Sequence, residues 1–277
     1  MTSRRLGRTV SYVVLALIAI VGIAPFVYLL ILSFKSRIDV LTVPPNLHFD
    51  WGQIKANYRT VLHDQGYLTF IKNSILVTGI STLIALTLGV PAGYAFSRLR
   101  FRGADTWAST ILSFRFMPPV AVAIPIFLLI RYLGLVNGYL GLILPYVAFS
   151  LPLVVWIMIG FFDEIPREID ESAMVDGLTR PLVLLRVLLP LARPGMLVAA
   201  TFSVIFIWNE FLIGLYIINS TDRETIPIAA SSLLTVESPI DWNLAATVGI
   251  FTVIPILIFS IVVQRYIVRG ITAGAVK

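Results

Sequence analysis

The sequence lacks several of the residues on which catalytic and metal sites depend. It contains no cysteine and only two histidines, His48 and His63, among its 277 residues. Without cysteine, disulfides and thiolate chemistry are excluded, and two histidines in one polar stretch exclude a histidine relay or metal site inside a membrane. No Gly-rich loop ending in Gly-Lys-Ser or Gly-Lys-Thr is present, so ATP has no site of that kind in this chain. We therefore expect neither an enzyme nor a metal protein.

Charged residues are also scarce. They make up 13% of the chain, against about 25% in soluble domains, while hydrophobic residues make up 58% and the mean hydropathy is +0.91. The apolar residues form runs long enough to cross a hydrocarbon core of about 30 Å, and only helices of that length satisfy their own backbone there. The composition predicts an all-α membrane protein that forms one domain. Its six transmembrane helices are predicted at roughly residues 10–34, 69–97, 106–131, 138–162, 191–219 and 243–268.

The distribution of Lys and Arg predicts how the chain is oriented. With the N-terminus placed inside, thirteen of the 21 basic residues lie on the cytoplasmic side, in loops or at the ends of spans, seven lie on the outer side, and Arg115 lies well within a span. Because cytoplasmic loops are enriched in Lys and Arg, both termini are predicted to be cytoplasmic. The net charge of +6 is therefore explained by the excess of basic residues on the predicted cytoplasmic side. We expect a lipid bilayer, and no nucleic acid, as a partner.

Two loops on the predicted outer side are long enough to form structure of their own or to contact a partner. In the loop at 35–68, Asp50 stands where the N-cap of a short amphipathic helix is expected. That helix could lie at the membrane surface or cover the outer mouth of a pore. Its apolar positions are Trp51, Ile54, Tyr58, Val61 and Leu62. The second loop, at 219–242, is polar enough to meet a soluble partner.

The most polar segment on the cytoplasmic side is the loop at 163–190. Pro166 is followed by acidic residues, and Gly177 comes just past the end of the segment, which is the signature of a short helix. Pro181 and Pro190 are expected to bound a second short helix. Taken alone, these features are those of an ordinary connector between spans.

The spacing within this loop resembles a known motif. Glu171-Ser172-Ala173-Met174-Val175-Asp176-Gly177, nine residues, and then Val187-Leu188-Leu189-Pro190 resemble the EAA loop of binding-protein-dependent, ATP-driven importers. Ser172 replaces the first Ala of that motif, and Val187 replaces an Ile. Three further stretches resemble carbohydrate-importer permeases, above all the six-span subunit of the maltose importer type, and the likeness runs from about residue 10 to the C-terminus. These stretches are Arg115-Phe116-Met117-Pro118-Pro119, Trp208-Asn209-Glu210-Phe211 and the ending at 270–277.

The resemblance implies a type I ABC importer permease of MetI-like fold in a bacterial or archaeal cytoplasmic membrane. It implies a second, homologous permease subunit in a heterodimer, two ABC ATPase subunits that carry the ATP, and an extracytoplasmic solute-binding protein. No cofactor is expected on this chain itself. The loop at 163–190 would couple it to the ATPase, with Glu171 facing a basic residue and Gly177 allowing a sharp turn and close approach. The implied coupling residues are Glu171, Ser172, Ala173, Asp176, Gly177, Leu189 and Pro190.

Two ionisable residues, Arg115 and Glu210, fall well inside the predicted spans. Each should face protein or water, because a charge in lipid costs several kcal/mol. They either line a translocation path together with Trp208 and Asn209, or act as hydrogen-bonding posts between helices. Helical rise places the two charges about 15 Å apart in depth, so we expect no direct ion pair. Prolines at 118, 119, 125, 145, 152 and 255 predict kinks within the spans.

The alternative function is an ion-coupled secondary transporter that uses Glu210 and Arg115. Such transporters often contain inverted repeats and broken helices, and the sequence predicts neither. A structural scaffold would leave the loop motif unexplained. The function implied by the resemblance is import of a carbohydrate or related polyol, and the pore residues do not specify which one.

Overall fold

A computed structural model of the chain is almost entirely helical. It describes residues 2–42, 48–99, 101–232 and 241–275, and no β-strand occurs among them. The predicted all-α class is confirmed. The helices are α1 (Thr2–Ser33), α2 (Arg37–Leu41), α3 (Trp51–Arg59), α4 (Tyr67–Arg98), α5 (Ala104–Ser113), α6 (Pro119–Tyr132), α7 (Tyr139–Glu164), α8 (Arg167–Val175), α9 (Arg180–Val183), α10 (Leu189–Leu191), α11 (Arg193–Trp208), α12 (Leu212–Ile217), α13 (Ile226–Ser232) and α14 (Trp242–Ala275).

Four of these helices, α1, α4, α7 and α14, are long and apolar enough to cross a membrane unaided. Two further spans are possible if a bent pair of helices counts as one. The segment Ala104–Phe116 meets α6 at 96°, and the segment Arg180–Leu191 meets α11 at 80°. The described residues thus contain four to six candidate spans, and the upper value is the predicted number.

The third and fifth predicted spans are interrupted. Residues 106–131 break at Met117 and Pro118, both of which have extended backbone. Two consecutive prolines remove two N–H donors, and each disfavours the helical conformation of the residue before it. Residues 191–219 break between Trp208 and Leu212. The expectation of spans without broken helices is therefore wrong, whereas the prolines at 125, 145, 152 and 255 lie inside helices that continue past them.

The chain divides into two compact units. The first comprises residues 1–68 and 230–255, and the second comprises 69–229 and 256–277. The prediction of a single transmembrane domain stays a prediction. In the first unit, Asn57 of α3 donates from its amide nitrogen to the carbonyl oxygens of Ser33 and Lys35, 2.9 and 2.8 Å away. It accepts a hydrogen bond from Asn243 of α14 at 3.1 Å, so one buried side chain connects α1, α3 and α14.

The predicted helix after Asp50 is confirmed. The Asp50 carboxylate accepts from the N–H of Gly52 at 2.9 Å and caps α3. Asn57 of α3 and Val61 of the π-helical turn that follows it (Thr60–Asp64) are buried, whereas Trp51 is 82% exposed and does not share that face. The apolar stripe predicted from spacing therefore begins one turn later than expected.

The second unit is built around close contact between α4 and α7. A β-carbon at Gly89 of α4 would lie 2.6 Å from Cγ1 of Val154, and one at Gly93 would lie 2.7 Å from Cβ of Met158. Only glycine permits this approach, as in other small-xxx-small contacts between membrane helices. The contact places the C-terminal end of α4 beside that of α7, from which the polar loop at 163–190 departs.

Candidate functional site

The polar loop contains the short helix that the sequence predicts. Helix α8 begins at Arg167, directly after Pro166, and ends at Val175. Glu168 and Asp170 lie in its first turn, where negative charge is favourable next to the free N–H groups of a helix start. The local sequence therefore accounts for both the existence and the start of this helix.

Gly177 ends α8 with a tight turn. Its φ of +87° is one that glycine adopts without strain. The N–H of Gly177 donates to the carbonyl of Met174 at 3.0 Å, and the N–H of Leu178 donates to that of Ala173 at 3.1 Å. This pair of bonds is the Schellman arrangement, which satisfies the last carbonyls of a helix. Ala173 and Leu178 both pack into the core below the turn.

The predicted coupling residues do not all face outward. Glu171, Ser172, Asp176, Gly177 and Pro190 are exposed, and Leu189 is partly buried. Ala173 is only 7% exposed, so it positions the helix on the core and is not available to a partner. Val175, which the motif comparison passed over, is 88% exposed at the tip of α8. The available sequence signal was an apolar Val directly before Asp176 in a mostly polar segment.

The second short helix of the loop is longer than predicted. A helical segment runs from Arg180 through a π-helical turn at Leu184–Leu188 and ends at Leu191. Pro181 lies in its first turn, as expected, but Pro190 does not end it. The π turn shifts the hydrogen bonds by one residue immediately before Pro190, which lets the helix accept a residue without an N–H.

A buried ion pair anchors α8, and sequence reasoning missed it. Nε of Arg98, at the end of α4, lies 2.7 Å from Oδ2 of Asp170, and the side chains are only 5% and 9% exposed. Nη2 of Arg98 donates to the carbonyl of Ile165 at 2.7 Å. In the sequence, Arg98 is one of the basic residues on the predicted cytoplasmic side, and Asp170 is one of the acidic residues that follow Pro166. The two lie 72 residues apart, so no local spacing signals their contact.

A second set of bonds surrounds this pair. The hydroxyl of Ser97 donates to Oδ1 of Asp163 at 2.5 Å, and Nη2 of Arg167 donates to the carbonyl of Ser97 at 3.1 Å. Ser97 belongs to α4, Asp163 to α7 and Arg167 to α8. Three helices therefore meet at the base of the loop through polar contacts.

The two helix breaks line one cavity of about 610 Å³. Arg115 and Pro119 come from the break before α6, and Asn209 and Glu210 come from the break after α11. Trp208 is buried and does not line it. The remaining lining residues are Val120, Phe149, Leu153, Phe202, Ile205, Phe206, Phe211, Leu212 and Ile213. Interrupted helices at membrane depth are tolerated where they line such a cavity.

Glu210 caps the helix that follows it. Its carboxylate oxygens accept from the N–H groups of Ile213 and Gly214, at 2.8 and 3.2 Å, and the residue is 9% exposed. These donors belong to the first turn of α12, which has no intrahelical acceptors for them. Two roles are predicted for Glu210. Its contacts show hydrogen bonding within the fold. Because it also lines the cavity, a role in the translocation path stays a prediction.

Arg115 contacts an aromatic ring across the cavity. Its guanidinium carbon lies 4.2 Å from the ring centre of Phe206, a cation–π distance. The ion pairs found in the described part of the chain do not join Arg115 to Glu210. No cluster of three or more potential metal ligands occurs within the same ranges. The positive charge of Arg115 is therefore stabilised by an aromatic face on the wall of the cavity.

Residues 220–224, at the start of the second predicted outer loop, are fixed by hydrogen bonds from two asparagines. The amide nitrogen of Asn73 donates to the carbonyls of Asp222 and Glu224, at 3.0 and 2.8 Å. Oδ1 of Asn137 accepts from the N–H and the hydroxyl of Ser220, at 3.1 and 2.8 Å. Burial raises the pKa of the Glu224 carboxyl above its usual value, whereas the side chain of Asp222 is exposed. The segment is a fixed polar surface.

A multi-span helical fold, a protruding polar loop and a cavity between broken helices define a membrane transport subunit. The sequence pattern of the family described as binding-protein-dependent transport system inner membrane component matches residues 85–273. The chain belongs to this family. It is a multi-pass permease subunit of an ABC importer, and the family offers no support for the alternative of an ion-coupled secondary transporter.

Individual relatives agree over nearly the whole length. The chain is 31% identical to the trehalose/maltose transport system permease protein MalG of Thermococcus litoralis, over 94% of both chains. It is 31% identical to the sulfoquinovosyl glycerol transport system permease protein SmoH of Agrobacterium fabrum, over 98% of this chain and 94% of that one. A crystal structure of a bacterial ABC transporter that imports the acidic polysaccharide alginate matches with a TM-score of 0.80 at 23% identity, covering 96% and 98% of the two chains. This likeness confirms the MetI-like fold.

Proposed function

We propose that this permease imports a carbohydrate or related polyol and is driven through the loop at 163–190 by a separate ABC ATPase. The observation that carries the coupling role is the exposed face of α8. Val175 is almost fully exposed. Glu171 and Glu168 precede it by four and seven residues, a spacing that puts them on the same side of α8, and Asp176 follows it directly; all three acids are exposed. An exposed apolar residue with acids beside it on the same helix face fits a cleft with an apolar floor and basic walls.

The base of the loop supports the same role. An element that transmits force must be attached firmly to what it moves, and α8 is attached by a buried ion pair and by the packing of Ala173 and Leu178. The outward face is free while the inward face is fixed. Such an arrangement suits a docking helix better than an ordinary connector.

The cavity supports the carbohydrate class. Phe149, Phe202, Phe206 and Phe211 present aromatic surface to it, and Arg115 and Asn209 supply hydrogen-bond donors. Ligand sites of this kind combine apolar walls with few polar groups. The relatives named above are described by trehalose/maltose, sulfoquinovosyl glycerol and alginate transport, which supports a carbohydrate or a carbohydrate derivative as the solute.

The complete importer is proposed to be larger than this chain. It would contain a second, homologous permease in a heterodimer, two ATPase subunits that bind the ATP, and an extracytoplasmic binding protein. This chain would bind no cofactor and would lie in a bacterial or archaeal cytoplasmic membrane with both termini in the cytoplasm. The fixed segment around Ser220 and Asp222 offers a polar surface to the binding protein.

Co-purification in mild detergent tests the coupling role. The tagged wild-type chain should recover an ATPase and a second permease, whereas Gly177→Asp should lose the ATPase but still insert in the membrane. At Gly177 an added β-carbon meets no atom of the chain within 4 Å, so the change acts through the positive φ or through the partner.

Gly177→Asn is the matched control, because Asn matches Asp in size and in its tolerance of positive φ but carries no charge. If Asn restores recovery of the ATPase, the negative charge of Asp is what prevents docking. If both variants lose the ATPase, any side chain at this turn is incompatible with docking. Wild-type recovery of the ATPase by Gly177→Asp, together with normal uptake, would overturn the coupling assignment.

A further inference from the structure

The ion pair at the base of the loop joins elements that must move together if α8 drives transport. Arg98 holds two points at once, because Nε binds the carboxylate of Asp170 in α8 and Nη2 binds the carbonyl of Ile165 just after α7. The planar guanidinium fixes the angle between these two bonds. One residue of α4 thereby holds both the helix and the elbow that leads into it.

The energetics of this pair point to a role beyond stability. Two charges taken out of water lose much of what their attraction returns, and buried pairs are often replaced by apolar residues at no cost. Here the second carboxylate oxygen, Oδ1 of Asp170, is buried without a hydrogen-bond partner. An apolar contact would therefore hold α8 against α4 at least as well. The ion pair differs from an apolar contact because its hydrogen bonds fix the relative orientation of the two helices.

Helix α4, to which the ion pair attaches α8, is itself packed tightly against α7. Helix α4 packs on α7 at Gly89 and Gly93 with no room for a β-carbon, so the two helices respond together at their C-terminal ends. The bonds of Ser97 to Asp163 and Arg167 reinforce the same junction. A displacement of α8 is therefore passed to α4 and α7 if Arg98 and Asp170 stay paired.

We propose that Arg98 and Asp170 are positioning residues that transmit movement of the coupling helix to α4 and α7. The inference rests on the proposed coupling of the 163–190 loop to an ATPase. It adds that docking and coupling are separable: the exposed face of α8 binds the ATPase, and the buried pair converts its movement into opening of the path.

The test uses the complete importer in proteoliposomes, with the double variant Arg98→Met/Asp170→Leu. Removing both charges together avoids leaving one buried charge unpaired. We expect the variant to recover the ATPase and to hydrolyse ATP at the basal rate. Stimulation of hydrolysis by solute-loaded binding protein, and solute moved per ATP, should each fall by about fivefold or more.

The matched control is Arg37→Met/Asp241→Leu, which removes an ion pair of similar length, 2.8 Å, that is exposed and lies in the other unit. It should keep wild-type stimulation. A purely structural role for the buried pair would change recovery or thermal stability but not the stimulation ratio of the assembled complex. Wild-type stimulation in the buried-pair variant therefore overturns the inference.

Arg98→Lys decides the matter if the double variant fails to assemble. Lysine keeps the charge, but its single ammonium does not reproduce the fork that holds Asp170 and Ile165 together. Reduced stimulation in an assembled complex supports the inference, and a wild-type ratio overturns it. If the wild-type chain itself recovers no ATPase, the proposed function fails instead.

Discussion

The loop at 163–190 and the cavity each contain a buried carboxylate, but the two carboxylates are stabilised in different ways. Asp170 in the loop is balanced by Arg98, which belongs to another helix and lies 72 residues away along the chain. Glu210 in the cavity wall accepts two backbone N–H groups from the helix that directly follows it. A buried carboxylate can thus be stabilised either by a basic side chain that is distant in sequence or by the free N–H groups at the start of a helix. The ion pair joins α4 to α8, whereas the two backbone bonds to Glu210 cap the helix that begins after the break.

The largest effect is expected for the loop. Arg98→Ala leaves Asp170 buried without its counter-ion and removes the bond to Ile165. Breaking a buried pair in this way costs about 3–5 kcal/mol. We therefore expect a strongly lowered thermal unfolding midpoint in detergent, measured on the purified chain. Adding Asp170→Leu to Arg98→Ala should recover much of the loss, and an unchanged midpoint for the single variant would contradict the burial of the pair.

An intermediate effect is expected for the cavity. Glu210→Ala removes the acceptor for two N–H groups of α12 and should cost about 1–2 kcal/mol. Glu210→Gln keeps an acceptor oxygen and should recover most of this stability. Unfolding midpoints and solute uptake are to be measured on both variants.

These two measurements also separate the two roles of Glu210. If uptake returns together with stability in Glu210→Gln, capping is the function of the residue. If stability returns while uptake stays low, the negative charge itself acts on the path. Equal loss in both variants would show that one amide oxygen does not replace the carboxylate as a cap.

The smallest effect is expected for the exposed pair of Arg37 and Asp241. Its N–O distance of 2.8 Å nearly equals that of the buried pair, but the side chains are 51% and 37% exposed. Exposed pairs contribute about 0–1 kcal/mol and are screened by salt. Arg37→Ala should therefore shift the unfolding midpoint little, and less still at high salt. A shift as large as that of Arg98→Ala would mean that burial is not what separates the two pairs.

Sequence reasoning was most successful where short-range rules apply. The cap at Asp50, the start of α8 after Pro166 and the turn at Gly177 each depend on residues within one helical turn, and the structure confirms all three. It failed at the breaks before α6 and after Trp208. Average hydropathy stays high through both breaks, so a window that finds spans does not detect them. The adjacent prolines 118 and 119 were the available signal for the first break.

The sequence by itself determined the class of this protein, its helical fold and its family, because apolar runs, capping residues and a spaced motif are local properties. It also identified α8 and its closing turn. Only the tertiary structure decided that Ala173 faces inward, that Arg98 meets Asp170 and that two helix breaks line one cavity. These facts depend on which distant residues pack together. Contacts between residues far apart in the chain follow from packing of whole helices, which no spacing within a single sequence specifies.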